Sequence, residues 1–113
     1  MTPRHPTDLL PLTPALFHIL LSLADGQKHG YGVLKEVEAR TGGEVRLSTG
    51  TLYGIIKRLL ADGLIKESAT GTTDRRQAYR LTPFGRQVAE AEAARLEALV
   101  ASARSKRLIR QDA

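Results

Sequence analysis

The amino-acid sequence predicts a mainly α-helical fold with a small β-hairpin and a long C-terminal helix, and three observations predict it. Helix-starting residues, apolar positions three and four apart, or stopping glycines mark out four segments. Two short strand-like runs, Leu64–Ala69 and Ala78–Leu81, flank a polar, basic loop. The 113 residues, 42% hydrophobic and 26% charged, suffice for one small core and are too apolar for wholesale disorder.

The elements follow in order. Residues 1–12 carry Pro3, Pro6 and Pro11 without periodicity and read as an extended arm, mobile at its start. Thr13-Pro14 opens a helix over about 14–24, with Thr13 as N-cap and Pro14 at the first helical position. Leu16, Phe17, Ile19, Leu20, Leu21 and Leu23 make that helix apolar on almost every side, which calls for a partner chain to cover it. Asp25-Gly26 ends it. A second helix, about 30–41, sets Val33, Leu34 and Val37 against a charged face and stops at Gly42-Gly43. Glu44–Leu47 alternates polar and apolar and reads as a very short strand. The third helix is the clearest: Ser48 caps it, and Leu52, Ile55, Ile56, Leu59 and Leu60 form one apolar face. Asp62-Gly63 closes it, with Leu64 placed to pack back.

After the hairpin, whose loop runs Thr70 to Gln77, Thr82-Pro83 repeats the capping signal and launches the last helix. Ala89, Ala93, Leu96, Val100 and Ala103, with Leu99 beside them, form a stripe spaced four and three apart, as in a pairing helix. Leu16, Leu20 and that stripe are the expected dimer contacts. Packing of the helix back on its own domain is the competing reading, and it would leave the first helix poorly covered. Beyond the stripe, Arg104, Lys106, Arg107 and Arg110 make a basic end. The chain divides into an arm (1–12), a core unit (13–82) and a dimerisation helix with basic tail (83–113).

Composition removes several classes of function. The chain has no cysteine, hence no disulfide frame and no thiolate nucleophile or ligand. His5, His18 and His29 lack metal-ligand spacing, so neither a metal nor a cofactor is expected. Glu90 and Glu92 read as surface charge on an exposed helix, and Gly30 and Gly32 lack the preceding strand of a phosphate loop. No enzyme chemistry assembles. The first residues lack a signal-peptide core, and the longest apolar stretch is about half a membrane span. A soluble cytoplasmic protein is the expectation, with no membrane partner. A net charge of +5 favours an anionic partner.

Three helices followed by a two-stranded hairpin with a basic loop is the order of a winged helix-turn-helix. Such a unit lays one helix in the major groove of double-stranded DNA and reaches the neighbouring backbone with its loop. Opposite its apolar face the third helix carries Thr49, Gly50, Thr51, Tyr53, Gly54, Lys57 and Arg58. Its small residues admit a close approach, and the hydroxyls of Ser48, Thr49, Thr51 and Tyr53 suit phosphate or base edges. Arg75 and Arg76 stand on the wing. Singly, Ser48 also reads as a helix cap, Tyr53 as a packing aromatic, and the basic residues as solvated charge. Their fall on one surface favours DNA contact. A winged helix used for protein interaction, or for non-specific nucleic-acid binding, is the alternative.

The runs His29-Gly30-Tyr31-Gly32, Ser48-Thr49-Gly50-Thr51-Leu52-Tyr53, Leu59 to Gly63-Leu64-Ile65, Arg75-Arg76 and Tyr79-Arg80-Leu81-Thr82-Pro83-Phe84-Gly85 resemble the PadR family of bacterial transcriptional regulators over about residues 13–88. The resemblance implies a homodimeric repressor whose winged helices bind a palindromic operator. It also implies dimerisation through the C-terminal helix packed with the partner's first helix. Release by a small-molecule effector of no identifiable class fits the same resemblance. Carried over by position, Ser48, Thr49, Gly50, Thr51, Tyr53 and Lys57 would contact DNA. Thr49 and Gly54 stand where the family's usual string has proline.

Overall fold

The computed structural model describes residues 4–68 and 77–110. Helices α1 (Pro14–Leu23), α2 (Gly30–Arg40), α3 (Thr49–Ala61) and α4 (Pro83–Ser105) accompany strands β1 (Lys28–His29), β2 (Ile65–Ser68) and β3 (Ala78–Leu81). The strands form one antiparallel sheet in the order β1-β3-β2. This is the mainly helical, winged architecture that the sequence predicts.

Hydroxyl caps start three of the helices. The oxygens of Thr13, Ser48 and Thr82 accept from the N–H groups of Leu16, Thr51 and Gly85 at 3.2, 3.1 and 2.9 Å. Glycine ends α2 and α3. Gly42 (φ +61°) and Gly63 (φ +74°) take the left-handed conformation that a side chain resists. At the second, the Leu64 N–H returns to the Leu59 carbonyl at 3.0 Å and the Gly63 N–H to Leu60 at 3.1 Å.

Each helix supplies one face to a shared core: Leu16, Ile19, Leu20 and Leu23 from α1, Val33 and Val37 from α2, Leu52, Ile56 and Leu59 from α3, and Val88 from α4. Leu64, Ile65 and Tyr79 close it from the sheet side. Polar ties then fix α1 to α2. Arg40 donates to the His18 carbonyl and the buried Ser22 hydroxyl, both at 2.9 Å. Lys28 reaches the Ser22 carbonyl and the carboxylates of Asp25 and Glu36.

The structure corrects the sequence reading in five places. Glu44–Leu47 forms no strand: Val45 and Leu47 pack against the core from a loop, and the Thr41 hydroxyl holds the Val45 N–H at 3.0 Å. The third strand is β1 instead. It is two residues long and pairs Lys28 with Tyr79 and His29 with Ala78. A strand therefore does precede Gly30, although Lys35 occupies the position of the third glycine in a phosphate loop. The arm is not simply extended. Pro6–Leu9 is a 3-10 turn, and Leu9, Leu10 and Leu12 pack on the core. Leu16 and Leu20, expected at a subunit interface, are 7% and 0% exposed inside the subunit's own core. Glu92, read as surface charge, is 1% exposed.

α4 has 23 residues and is about 35 Å long at 1.5 Å per residue. Its first turns pack on the body through Val88 and Ala89. Beyond Leu96 it is exposed except at Ala103. Two residues past its end, Arg107 takes φ +61° without being glycine.

Candidate nucleic-acid interface

The amphipathic pattern of α3 produces a surface with two distinct faces. Leu52, Ile56 and Leu59 go inward, while Thr49, Gly50, Thr51, Tyr53, Gly54, Lys57 and Arg58 are all exposed. Gly50 and Gly54 have open space where a side chain would project, so nothing stands between the helix backbone and a ligand there. That leaves a smooth strip along the first two turns, with hydroxyls at its start and cations toward its end.

The hydroxyls are partly committed. Ser48 accepts the Thr51 N–H and donates to the Thr51 Oγ1 at 2.9 Å. Ser48 is thus a cap first, while the Thr51 hydroxyl hydrogen remains for an outside acceptor such as a phosphate oxygen. Tyr53 is 45% exposed. Its hydroxyl end lies over buried Gly30, where a Cβ would come within 2.7 Å of it. That contact explains a glycine at the start of α2. Tyr53 also lies close enough to raise the pKa of the Tyr79 phenol, after the larger effect of burial. The ring therefore packs on one side and presents the other.

Lys57 has no ion-pair partner among the described residues, whereas Arg58 faces Asp62 at 3.9 Å. A lone cation is the better phosphate contact because no internal bond must be given up. Tyr31, 58% exposed with the Lys35 ammonium 5.4 Å from its ring centre, stands one residue from the Gly30–Tyr53 contact. The sequence reading left Tyr31 and Lys35 out of the surface they border. Arg75 and Arg76 lie outside the described residues. The hairpin that carries them is held by β2–β3 pairing from Ile65↔Leu81 to Ser68↔Ala78.

The residues expected at a dimer interface separate. Ala89 is half-buried against the core and Leu16 and Leu20 are inside it. Ala93, Leu99 and Val100 are exposed, the last two at 54% and 42%, and Leu96 and Ala103 are half-buried. Of the large apolar side chains of α1, Leu21 is exposed and Phe17 half-buried, both outside the core. Together with Leu12 and Leu96 they wall a groove of about 380 Å³ between α1 and α4. Its polar lining is His18, Glu92 and Arg95. The Nδ1 of His18 is buried and lacks a hydrogen-bond partner, and burial, then the charge of Arg40, holds its pKa below the ordinary 6.5. Hydrogen bonds from Arg95, and then from the Leu12 N–H, hold the Glu92 carboxyl below its ordinary range despite burial. No group of metal-ligating side chains occurs among the described residues, and no helix there is long and apolar enough to cross a membrane.

Residues 19–91 match the transcriptional regulator PadR-like family. Transcriptional regulator Rv3488 of Mycobacterium tuberculosis (strain ATCC 25618 / H37Rv) is 40% identical over 83 residues, covering 73% of this chain and 75% of its own. An uncharacterized 37.1 kDa protein in transposon TN4556 of Streptomyces fradiae is 39% identical over 75 residues, 66% of this chain, which spans only 21% of that protein's length. A transcriptional regulator from Clostridium thermocellum superposes with a TM-score of 0.69 at 30% identity, covering 80% of this chain and 86% of that one. Bacillus subtilis PadR in complex with operator DNA shares the fold at 23% identity, with a TM-score of 0.60 over 70% of this chain and 46% of its own.

Proposed function

The chain belongs to the PadR-like family of transcriptional regulators, and from that premise we propose that it acts in the cytoplasm as a DNA-binding, homodimeric repressor on a palindromic operator. The observation that carries the reading is the strip on α3: seven exposed residues, two of them glycines with open space above them, on a helix anchored by its other face. Ser48, Thr49, Gly50, Thr51, Tyr53 and Lys57 supply its contacts, and Arg75 and Arg76 extend them from the wing. Pairing uses Ala93, Leu96, Leu99, Val100 and Ala103 of α4 together with Phe17 and Leu21 of α1. Two recognition helices related by a two-fold axis then read half-sites one or more helical turns apart. The groove between α1 and α4 supports control by a small-molecule effector, because its walls are largely apolar and a few polar side chains, His18, Glu92 and Arg95, line it.

The test is selection of duplexes from a random pool by the full chain, then titration of the recovered sequence. A shared palindrome, bound with a steep salt dependence, supports the reading. Tyr53→Ala and Lys57→Ala are expected to weaken binding while leaving the dimer intact on sedimentation. Equal affinity for random duplex favours non-specific binding, and no duplex binding at all favours a protein-interaction module.

A further inference from the structure

The described part of the N-terminal arm, residues 4–12, has no part in the function proposed above, yet it is tied down at both ends. At one end the Leu12 N–H donates to Glu92 Oε2 on α4 at 2.9 Å. At the other, the Arg4 guanidinium donates to the Asp62 carbonyl, lies 3.7 Å from the Asp62 carboxylate, and sits 5.3 Å from the centre of the Phe84 ring. Between these ends Leu9 and Leu10 pack on the core.

Asp62 is the C-cap of α3. Around it almost every carbonyl is engaged. Those of Arg58, Leu59 and Leu60 accept from Asp62, Leu64 and Gly63, and those of Gly63 and Leu64 from the hydroxyl and N–H of Thr82. Arg4 takes the Asp62 carbonyl, a group that the helix cannot satisfy itself. Its charge stands at the negative end of the α3 dipole. The far end of the recognition helix is therefore clamped from two sides, by Thr82 at the start of α4 and by Arg4 from 58 residues away.

We propose that Arg4 is a positioning residue for DNA recognition: the arm is a strap that holds the C-terminal end of α3 against α4 and so fixes the tilt at which its N-terminal strip meets the duplex. The proposal rests on the DNA-binding reading above. The lever is long enough to matter. A 13-residue helix is about 20 Å long, so a tilt of roughly 3° at a loosened end moves the other by about 1 Å, enough to spoil hydrogen bonds to base edges.

The experiment titrates the full chain against the duplex recovered by selection, across a range of salt. Arg4→Ala is expected to weaken binding about two- to fivefold, the equivalent of one cation at a helix end, with the salt slope unchanged. Arg4→Lys, which keeps the charge but not the planar fork over Phe84, is expected to recover part of the loss. In a Phe84→Leu background the Arg4→Ala loss is expected to shrink, because the two share one contact. Circular dichroism and sedimentation confirm that each variant is folded and paired. A slope lower by about one overturns the proposal in favour of a direct phosphate contact. Unchanged affinity for Arg4→Ala, or losses that simply add, overturn it as well. A wild-type chain that selects no duplex removes the DNA reading itself, and the positioning role with it.

Discussion

Glu92 is the residue whose replacement tests the packing of the molecule most sharply. It is 1% exposed, and its oxygens accept from Arg95 and, at 2.9 Å, from the Leu12 N–H. Glu92→Ala removes three bonds of unequal worth. Arg95 keeps 35% of its side-chain surface in water and rehydrates cheaply. The Leu12 N–H is partly buried and loses about 1 kcal/mol with its acceptor. The vacated volume adds roughly another 1–2 kcal/mol. The sum, about 2–3 kcal/mol, is smaller than the 3–5 typical of breaking a fully buried pair, because one partner is at the surface. In a chain of this size that lowers Tm by about 10 °C at fixed protein concentration. Glu92→Gln keeps an oxygen for Leu12 and is expected to lose only about 1 kcal/mol. Glu92→Leu fills the space but orphans the N–H and is expected to fall between the two. Urea titrations followed by circular dichroism rank the three. If leucine proves more stable than glutamine, holding the arm is not what the carboxylate contributes.

Acid is expected to weaken the fold in two stages. The folded chain resists protonating His18, so stability declines as pH falls below about 6.5; Glu92, depressed when folded, adds a further loss below about 4.5. Lys28, raised by Asp25, acts at the other end, and its share is lost only as pH climbs through that raised value. Glu92→Gln is expected to flatten the lower acid limb in pH-dependent melts and to leave the His18 limb in place. Gly85→Ala is expected to cost about 3 kcal/mol or more, because its Cβ would overlap the Leu64 carbonyl oxygen and lie 2.8 Å from its carbon, backbone that cannot swing aside; a wild-type denaturation midpoint would contradict that geometry. Gly30→Ala meets only the mobile end of Tyr53, so it is expected to keep nearly wild-type stability while displacing that ring and weakening operator binding severalfold, which titration beside a melting curve will separate.

Local signals carried most of the fold. Thr13, Ser48 and Thr82 cap as expected, and the glycines after α2 and α3 turn left-handed, because caps and stops depend on residues a few positions apart. What escaped depends on distant partners. β1 is two residues with no pattern of its own and exists because β3 passes beside it. The alternation at 44–47 was real, but a loop laying Val45 and Leu47 on the core satisfies it as well as a strand does. An all-round apolar α1 cannot say which of its faces its own chain covers. The core took Leu16 and Leu20 and left Phe17 and Leu21. The α3 strip was legible because its exposed residues share one helical face. Arg4, Glu92 and Gly85 were not, since each acts on a backbone group reached only after folding, 58, 80 and 21 residues away in the first two cases by hydrogen bond and in the last by close approach.

One residue, Thr82, separates the last residue of β3 from the first of α4 and is bonded to both Gly63 and Leu64. There is no slack in that joint. Hairpin and long helix must turn together, like a blade on its shaft. Were two copies joined along α4, a change in the angle at which those shafts cross would be delivered undiminished to the blades. The gap between two reading heads on DNA would then be set by packing at the opposite side of the molecule.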